Sequence, residues 1–167
     1  VFARSRMADS LLSRQVQAHT FEKDYLAVLE GVPAQASGVL EDQLRRDTAA
    51  RRTCVADAPG PDTRPARLSY RVLGEEDGRA LVLIRLETGR THQIRVHMSY
   101  IGHPVLGDPV YGGDGTAFER RHSGLFDGQC LHARALTLSH PRTGEIMRFE
   151  APLPENIVRI IELLEKL

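Results

Sequence analysis

Glu87-Thr88-Gly89-Arg90-Thr91-His92-Gln93-Ile94-Arg95-Val96-His97 is the densest polar stretch of the chain. An apolar run, Arg79 to Leu86, precedes it and reads as a strand. Gly89 lets that strand end turn sharply. The spacing then predicts a short helix capped by Thr91, running to Ile101 and stopped by Gly102 and Pro104. A helix start of this kind exposes backbone N–H groups. With Arg90 and Arg95 beside them it can hold a phosphate or a carboxylate. The competing reading is a surface helix start whose arginines pair with nearby acids. Metal binding is poorly served, because His92 and His97 are five apart and diverge by about 140° on a helix. Zinc pairs on a helix prefer a spacing of four with a Glu between them.

Upstream of this stretch, Arg67 to Leu73 alternates apolar and polar residues. It is expected to form a hairpin with Arg79–Leu86 across an acidic turn, Gly74 to Gly78. Phe21 to Leu29 reads as a strand ended by Gly31 and Pro33. Val39 to Leu44 and Thr53 to Ala56 are candidate short strands around a polar turn, and Ala58 to Pro65 is expected to be a loop. Ser5 is placed to cap a helix reaching about Ala18, with Met7, Leu11, Leu12 and Val16 on one broad face. Downstream, residues 107–128 carry six glycines and read mostly as loop. Leu131 to Ser139 and Glu145 to Glu150 form the next expected hairpin. Pro154 opens a last helix with Ile157, Ile160, Ile161 and Leu164 on one side and Lys166 in its final turn. Strands paired in hairpins with few helices imply one α+β domain over residues 1–167. Its sheet is expected to be mixed but mostly antiparallel, with flanking helices.

Composition narrows the function classes. The 167 residues carry 22 Lys and Arg against 22 Asp and Glu, so no global field marks a polyanion binder. Of the basic residues 20 are Arg, whose planar fork suits phosphates and carboxylates, although codon or genome bias is the better explanation of the excess. The charge is uneven locally. Gln43 to Arg52 holds Arg45, Arg46, Arg51 and Arg52 against one acid, Asp47. This turn is either a solvated face or a contact for an anion such as phosphate. No apolar run approaches the ~20 residues of a membrane span, and no leader pattern is seen. Cys54 and Cys130 are far apart and make neither a zinc site nor a disulfide framework, so two buried thiols in a reducing, cytoplasmic setting are expected.

Thr88 to His97, followed by Gly102-His103-Pro104-Val105-Leu106-Gly107-Asp108-Pro109-Val110-Tyr111-Gly112, resembles the signature of RNA pseudouridine synthases of the RluA type. Other segments keep that family's order: Lys23-Asp24-Tyr25, Ala66 to Leu73, Leu131-His132-Ala133, His140-Pro141 and Ala151 to Pro154. The resemblance implies an enzyme that isomerises uridine to pseudouridine in ribosomal or transfer RNA, with neither metal nor organic cofactor. It implies a target nucleotide flipped out of its stack, in a cleft along the strand ends. Arg95 would pair with the catalytic aspartate, and Tyr25 would lie against the flipped base as a stacking face or a proton-transfer group. Arg90, His92 and Gln93, with the four arginines of the basic turn, become candidate RNA contacts.

The aspartate itself is not found. The family carries it in a His-Arg-Leu-Asp motif just before the strand that Val1-Phe2-Ala3-Arg4 resembles. The motif is therefore expected upstream of Val1, and the 167 residues alone are expected to be inactive. An upstream RNA-binding domain of the S4 type is a further expectation from some relatives. Asp47 does not substitute, because no Leu separates it from Arg46, no Ser-Gly follows it, and it comes after the Lys-x-Tyr strand. Asp108 reads as a turn-stabilising carboxylate and His132 as a hydrogen-bonded strand residue. Two alternatives stand beside the enzyme: a non-catalytic RNA-binding relative that has lost the aspartate, and a binder of small anions.

Overall fold

The structure, a computed structural model, describes residues 1–164; the expected place of Lys166 in a last helical turn lies outside them. Helix α1 spans Arg6–Gln17, and the Ser5 hydroxyl accepts from the Ala8 N–H as its cap. Seven strands follow, interrupted by helices: β1 Glu22–Glu30, β2 Ser37–Asp47, β3 Arg52–Ala56, β4 Thr63–Glu76 and β5 Arg79–Leu86, then β6 Leu131–Ser139 and β7 Ile146–Glu150. Helices α2 (Gln93–Tyr100) and α3 (Ala117–Arg121) lie between β5 and β6, and α4 (Glu155–Leu164) follows β7. The strands form one sheet in the order β3-β2-β4-β5-β1-β6-β7. Every strand pair is antiparallel, so the mixed character expected is confined to one isolated parallel bridge, Gly31 with Arg79.

The alternation along β1 divides the core. Ala27 and Leu29 meet Leu68, Val82 and Ile84 beneath Ile94 and Met98 of α2, and Tyr25 packs against this cluster. Val28 points the other way, into Leu106, Phe118 and Cys130 with Ile160 and Leu164 of α4. Each of these large side chains contributes about 1.5–3 kcal/mol on burial, enough to fix α2 and α4 to opposite faces of the sheet. Val105 extends the sheet beside β1 where β6 has not begun, through a bridge to Leu29. This strap carries the chain from the end of α2 into the loop that holds Asp108.

Several boundaries differ from the sequence reading. Strand β2, expected over Val39 to Leu44, runs Ser37–Asp47 and pairs Arg45 and Arg46 with β3, so these two arginines stand on a strand and not in the turn. The β4–β5 turn is only Asp77-Gly78, both at positive φ, so Gly74 to Glu76 belong to the strand. A two-residue turn of that hand matches strand twist, and Gly78 adopts it without strain. The loop after β3 is shorter than expected, since β4 begins at Thr63 and includes Pro65. Pro65 pairs only with β2, and β5 joins β4 from Leu68 onward, so its missing N–H faces an open side. The glycine-rich segment contains α3 and a 3-10 turn, Ser123–Leu125. None of α1 is buried, and Met7 and Val16 of its apolar face stand exposed.

Candidate active site

The signature stretch does turn from β5 into α2, but not as Thr91 capping would have it. His92 occupies the N-cap at φ 57° and its side chain caps nothing. Gln93 stabilises the turn instead. Its Oε1 accepts from the Thr88 hydroxyl at 2.8 Å and the Arg90 N–H at 2.9 Å, and its Nε2 donates to the Arg67 carbonyl at 3.0 Å. Gln93 is 2% exposed, so the RNA contact expected of it is replaced by an internal brace.

Arg95 is also buried. Its Nε and Nη2 donate to the two oxygens of Asp108, each at 2.6 Å, and its guanidinium lies 5.1 Å from the Tyr111 ring centre. Asp108 Oδ1 accepts from the Val110 and Tyr111 N–H groups as well, both at 2.9 Å. Burial works to raise the Asp108 pKa, but Arg95 and these two N–H groups outweigh it and hold the carboxyl below its usual range. The turn role read for Asp108 is present, and an ion pair is added to it.

Tyr111 ties the same loop to the helix start. Its hydroxyl accepts from the Thr53 N–H at 2.8 Å and lies 3.1 Å from His92 Nδ1. The phenolic proton is then free to point at Nδ1, which leaves the His92 proton on Nε2. Desolvation, then the charges of Arg95 and Arg46, lower the His92 pKa, so the ring is neutral near pH 7.

Two cavities flank this centre. One, about 750 Å³, lies between the β2–β3 hairpin and the signature turn, with Arg45, Arg46, Arg64 and Arg90 in its wall. Asp47 and Asp62 are the acids there. Arg90 also braces the turn through a 3.0 Å bond from Nε to the Pro65 carbonyl. The other cavity, about 370 Å³ and mostly apolar, is lined by Lys23, Tyr25, Ala133, Arg134, Phe149 and neighbours. Burial raises the Tyr25 pKa, which keeps the phenol protonated. Lys23 Nζ lies 3.7 Å from where a Cβ on Gly89 would stand, so it reaches from the second cavity toward the signature turn. Burial lowers the Lys23 pKa.

The structure thus brings Arg45, Arg46 and Arg90 into one groove. Arg51 sits in the hairpin turn at φ 51°, and Arg52 lines a smaller neighbouring cavity with Tyr100 and Tyr111. Arg64 joins the groove, and Lys23 of the Lys-x-Tyr strand the apolar cavity, although the sequence reading named neither as a site residue. Arg64 sits in what reads as loop, and Lys23 could have been found from its i, i+2 relation to Tyr25 on a strand. His132 makes a 3.3 Å contact from Nε2 to the Ala151 carbonyl, in keeping with a strand residue. Among the described residues no group of three His, Cys, Asp or Glu side chains is placed to hold a metal ion. No described helix is long and apolar enough to cross a membrane.

The site is thus a helix start clamped by a buried Arg–Asp pair, between an arginine-lined groove and a tyrosine-lined apolar cavity. The family model described as RNA pseudouridylate synthase matches residues 1–100, and the chain belongs to that family, in its RluA-type branch. The Bacillus subtilis protein named uncharacterized RNA pseudouridine synthase YlyB is 41% identical over 98% of this chain and 51% of its own length. Ribosomal large subunit pseudouridine synthase D of Vibrio vulnificus is 39% identical over 99% of this chain and 52% of its own. The chain spans about half the length of these relatives. The solved structure of human RNA pseudouridylate synthase domain containing 4 superimposes with a TM-score of 0.78 at 23% identity, over 96% of this chain and 69% of that one, which shows the shared fold.

Proposed function

We propose that this chain forms most of the catalytic domain of an enzyme that isomerises uridine to pseudouridine in structured RNA, ribosomal RNA first and transfer RNA as the second candidate. The observation that carries this reading is the pairing of two unlike cavities around one signature turn. The arginine-lined groove suits a phosphate backbone, and the apolar cavity beside Tyr25 suits a flipped base.

The roles follow from chemistry. Breaking a glycosidic bond and rejoining the base through carbon needs a carboxylate held ionised beside sugar or base. Arg95 supplies an oriented cation for it. We place that aspartate upstream of Val1. Asp108 does not serve, because its carboxylate is fully buried and its oxygens are engaged by Arg95 and two backbone N–H groups. Tyr25, protonated and half-buried, offers either an aromatic face or a proton. Arg45, Arg46, Arg64 and Arg90 would neutralise phosphates, with Arg51 at the hairpin tip and Arg52 and His92 at the margin. The reaction as drawn calls for no cofactor, and a cytoplasmic location is part of the same reading.

The test is tritium release from RNA carrying 5-tritiated uridine. The chain extended upstream through a His-Arg-Leu-Asp motif is expected to release tritium, and residues 1–167 alone are expected to release none. Robust turnover by the 167-residue form would place the essential carboxylate inside this chain and overturn the upstream assignment.

A further inference from the structure

Asp108 does more than close a turn. Its side chain is 0% exposed and faces a guanidinium that is itself only 10% exposed. Oδ2 takes the Arg95 Nε–H, and Oδ1 takes Arg95 Nη2 together with the N–H groups of Val110 and Tyr111. The carboxylate therefore cannot turn toward a substrate. The backbone around it is equally constrained: Gly112 N–H donates to the Asp108 carbonyl at 3.0 Å, and a Cβ on Gly112 would come within 2.6 Å of that oxygen.

Seen from Arg95, one edge of the guanidinium is fixed by Asp108 and one face lies toward the Tyr111 ring. Nη1 makes no hydrogen bond among the described residues and is not one of the sealed polar atoms, so it is the one guanidinium nitrogen left for a second acceptor. A planar fork with two donors clamped and a third free is suited to hold an incoming carboxylate in a fixed direction. The clamp also offsets the charge of Arg95, so that it acts on a second carboxylate as an oriented donor with a muted field.

We infer that Asp108 is a positioning residue for the isomerisation, fixing Arg95 so that its free Nη1 edge orients the catalytic carboxylate. The inference rests on the proposed reaction, in which that carboxylate comes from upstream. Asp108 is not a catalytic residue, since it touches neither the base nor the sugar. A misplacement of about 1 Å at a reacting centre, caused by a change away from it, can cost about 100-fold in rate.

Asp108→Asn separates this role from the turn. Asparagine keeps Oδ1 for the Val110 and Tyr111 N–H groups but loses the charge and one acceptor for Arg95. In the complete, upstream-extended protein, kcat for tritium release is expected to fall by about 100-fold. KM for RNA is expected to stay within about twofold, because the arginine groove is untouched. The acid limb of the kcat profile is expected to move to lower pH, since an uncompensated Arg95 favours the ionised catalytic carboxylate. A purely structural role would leave that limb in place. If Asp108→Asn does not fold, the unaltered protein still decides. In its ¹H–¹⁵N spectrum one arginine Nε–H, recognised by its proximity to the Tyr111 ring, is expected to resist solvent exchange. A folded Asp108→Asn protein with wild-type kcat and pH profile, or an Arg95 Nε–H that exchanges freely, overturns the inference alone. Absence of turnover by the unaltered extended protein overturns the isomerase reading and the inference together.

Discussion

His97 is fully buried near the end of α2, and neither ring nitrogen has a hydrogen-bond partner. Burial lowers its pKa, and Asp42, 3.7 Å away, opposes the shift without reversing it. The folded-state pKa thus lies below the unfolded value of 6.5. The unfolded chain binds the proton more readily, so stability is lost as pH falls through this window and regained as it rises. The melting temperature is expected to drop between pH 7.5 and pH 5, and His97→Gln is expected to flatten part of that drop. An unchanged pH slope in a folded His97→Gln protein would remove His97 from the account. Cys130 makes a second point at this scale. Burial, reinforced by Glu119, pushes its thiol up to about 12, whereas Cys54 is half-buried. At pH 8 a thiol-alkylating reagent is expected to label Cys54 and spare Cys130 until the protein unfolds, as mass spectrometry of the peptides would show.

At the scale of elements, α3 shows how a five-residue helix holds in a glycine-rich segment. Thr116 and Glu119 cap it reciprocally, and Glu119 Oε1 also accepts from the Gly107 N–H at 2.5 Å. Thr116→Ala is expected to cost about 1 kcal/mol in urea unfolding. The β2–β3 hairpin places Arg45 and Arg46 in the groove with Arg64 and Arg90. If both arginines meet phosphate, Arg45→Gln with Arg46→Gln weakens RNA binding, and the salt slope of log K shrinks by about 0.7 per lost contact on single-stranded RNA. An unchanged slope would mean the hairpin faces solvent. These two elements mark what was legible in the sequence. The hairpins could be read because alternation and turn residues are local, and β5 was placed from Arg79 to Leu86 as observed. Helix α3 could not be read, since five residues are too few to show a helical period. Within the site, Arg95 was legible as a cation at a helix start, and the roles expected of Arg95 and Tyr25 came only from the family resemblance. The burial of Gln93, the Arg95–Asp108 pair and the arrival of Arg64 in the groove depend on contacts between segments distant in sequence, which no local pattern encodes.

At the scale of the molecule, the even count of 22 basic and 22 acidic residues conceals a sorting by place. Asp24 is buried on one face of β1 with Arg85 and Arg148 bound to it. Lys23 and Tyr25 open onto the apolar cavity on the other face. Charge is thus neutralised around Asp24, whereas Arg45, Arg46, Arg64 and Arg90 outnumber Asp47 and Asp62 in the groove, so a neutral body carries a basic groove. On the proposed reaction, specificity would come from the shape of the two cavities more than from a long-range field. The proposed reaction places uridine in the cavity beside Tyr25. The most direct measurement is tritium release by the upstream-extended protein carrying Tyr25→Ala, with circular dichroism to show that it folds. The expected result is a fall in kcat of at least about 100-fold. Folded Tyr25→Ala protein that turns over at the wild-type rate would contradict the account.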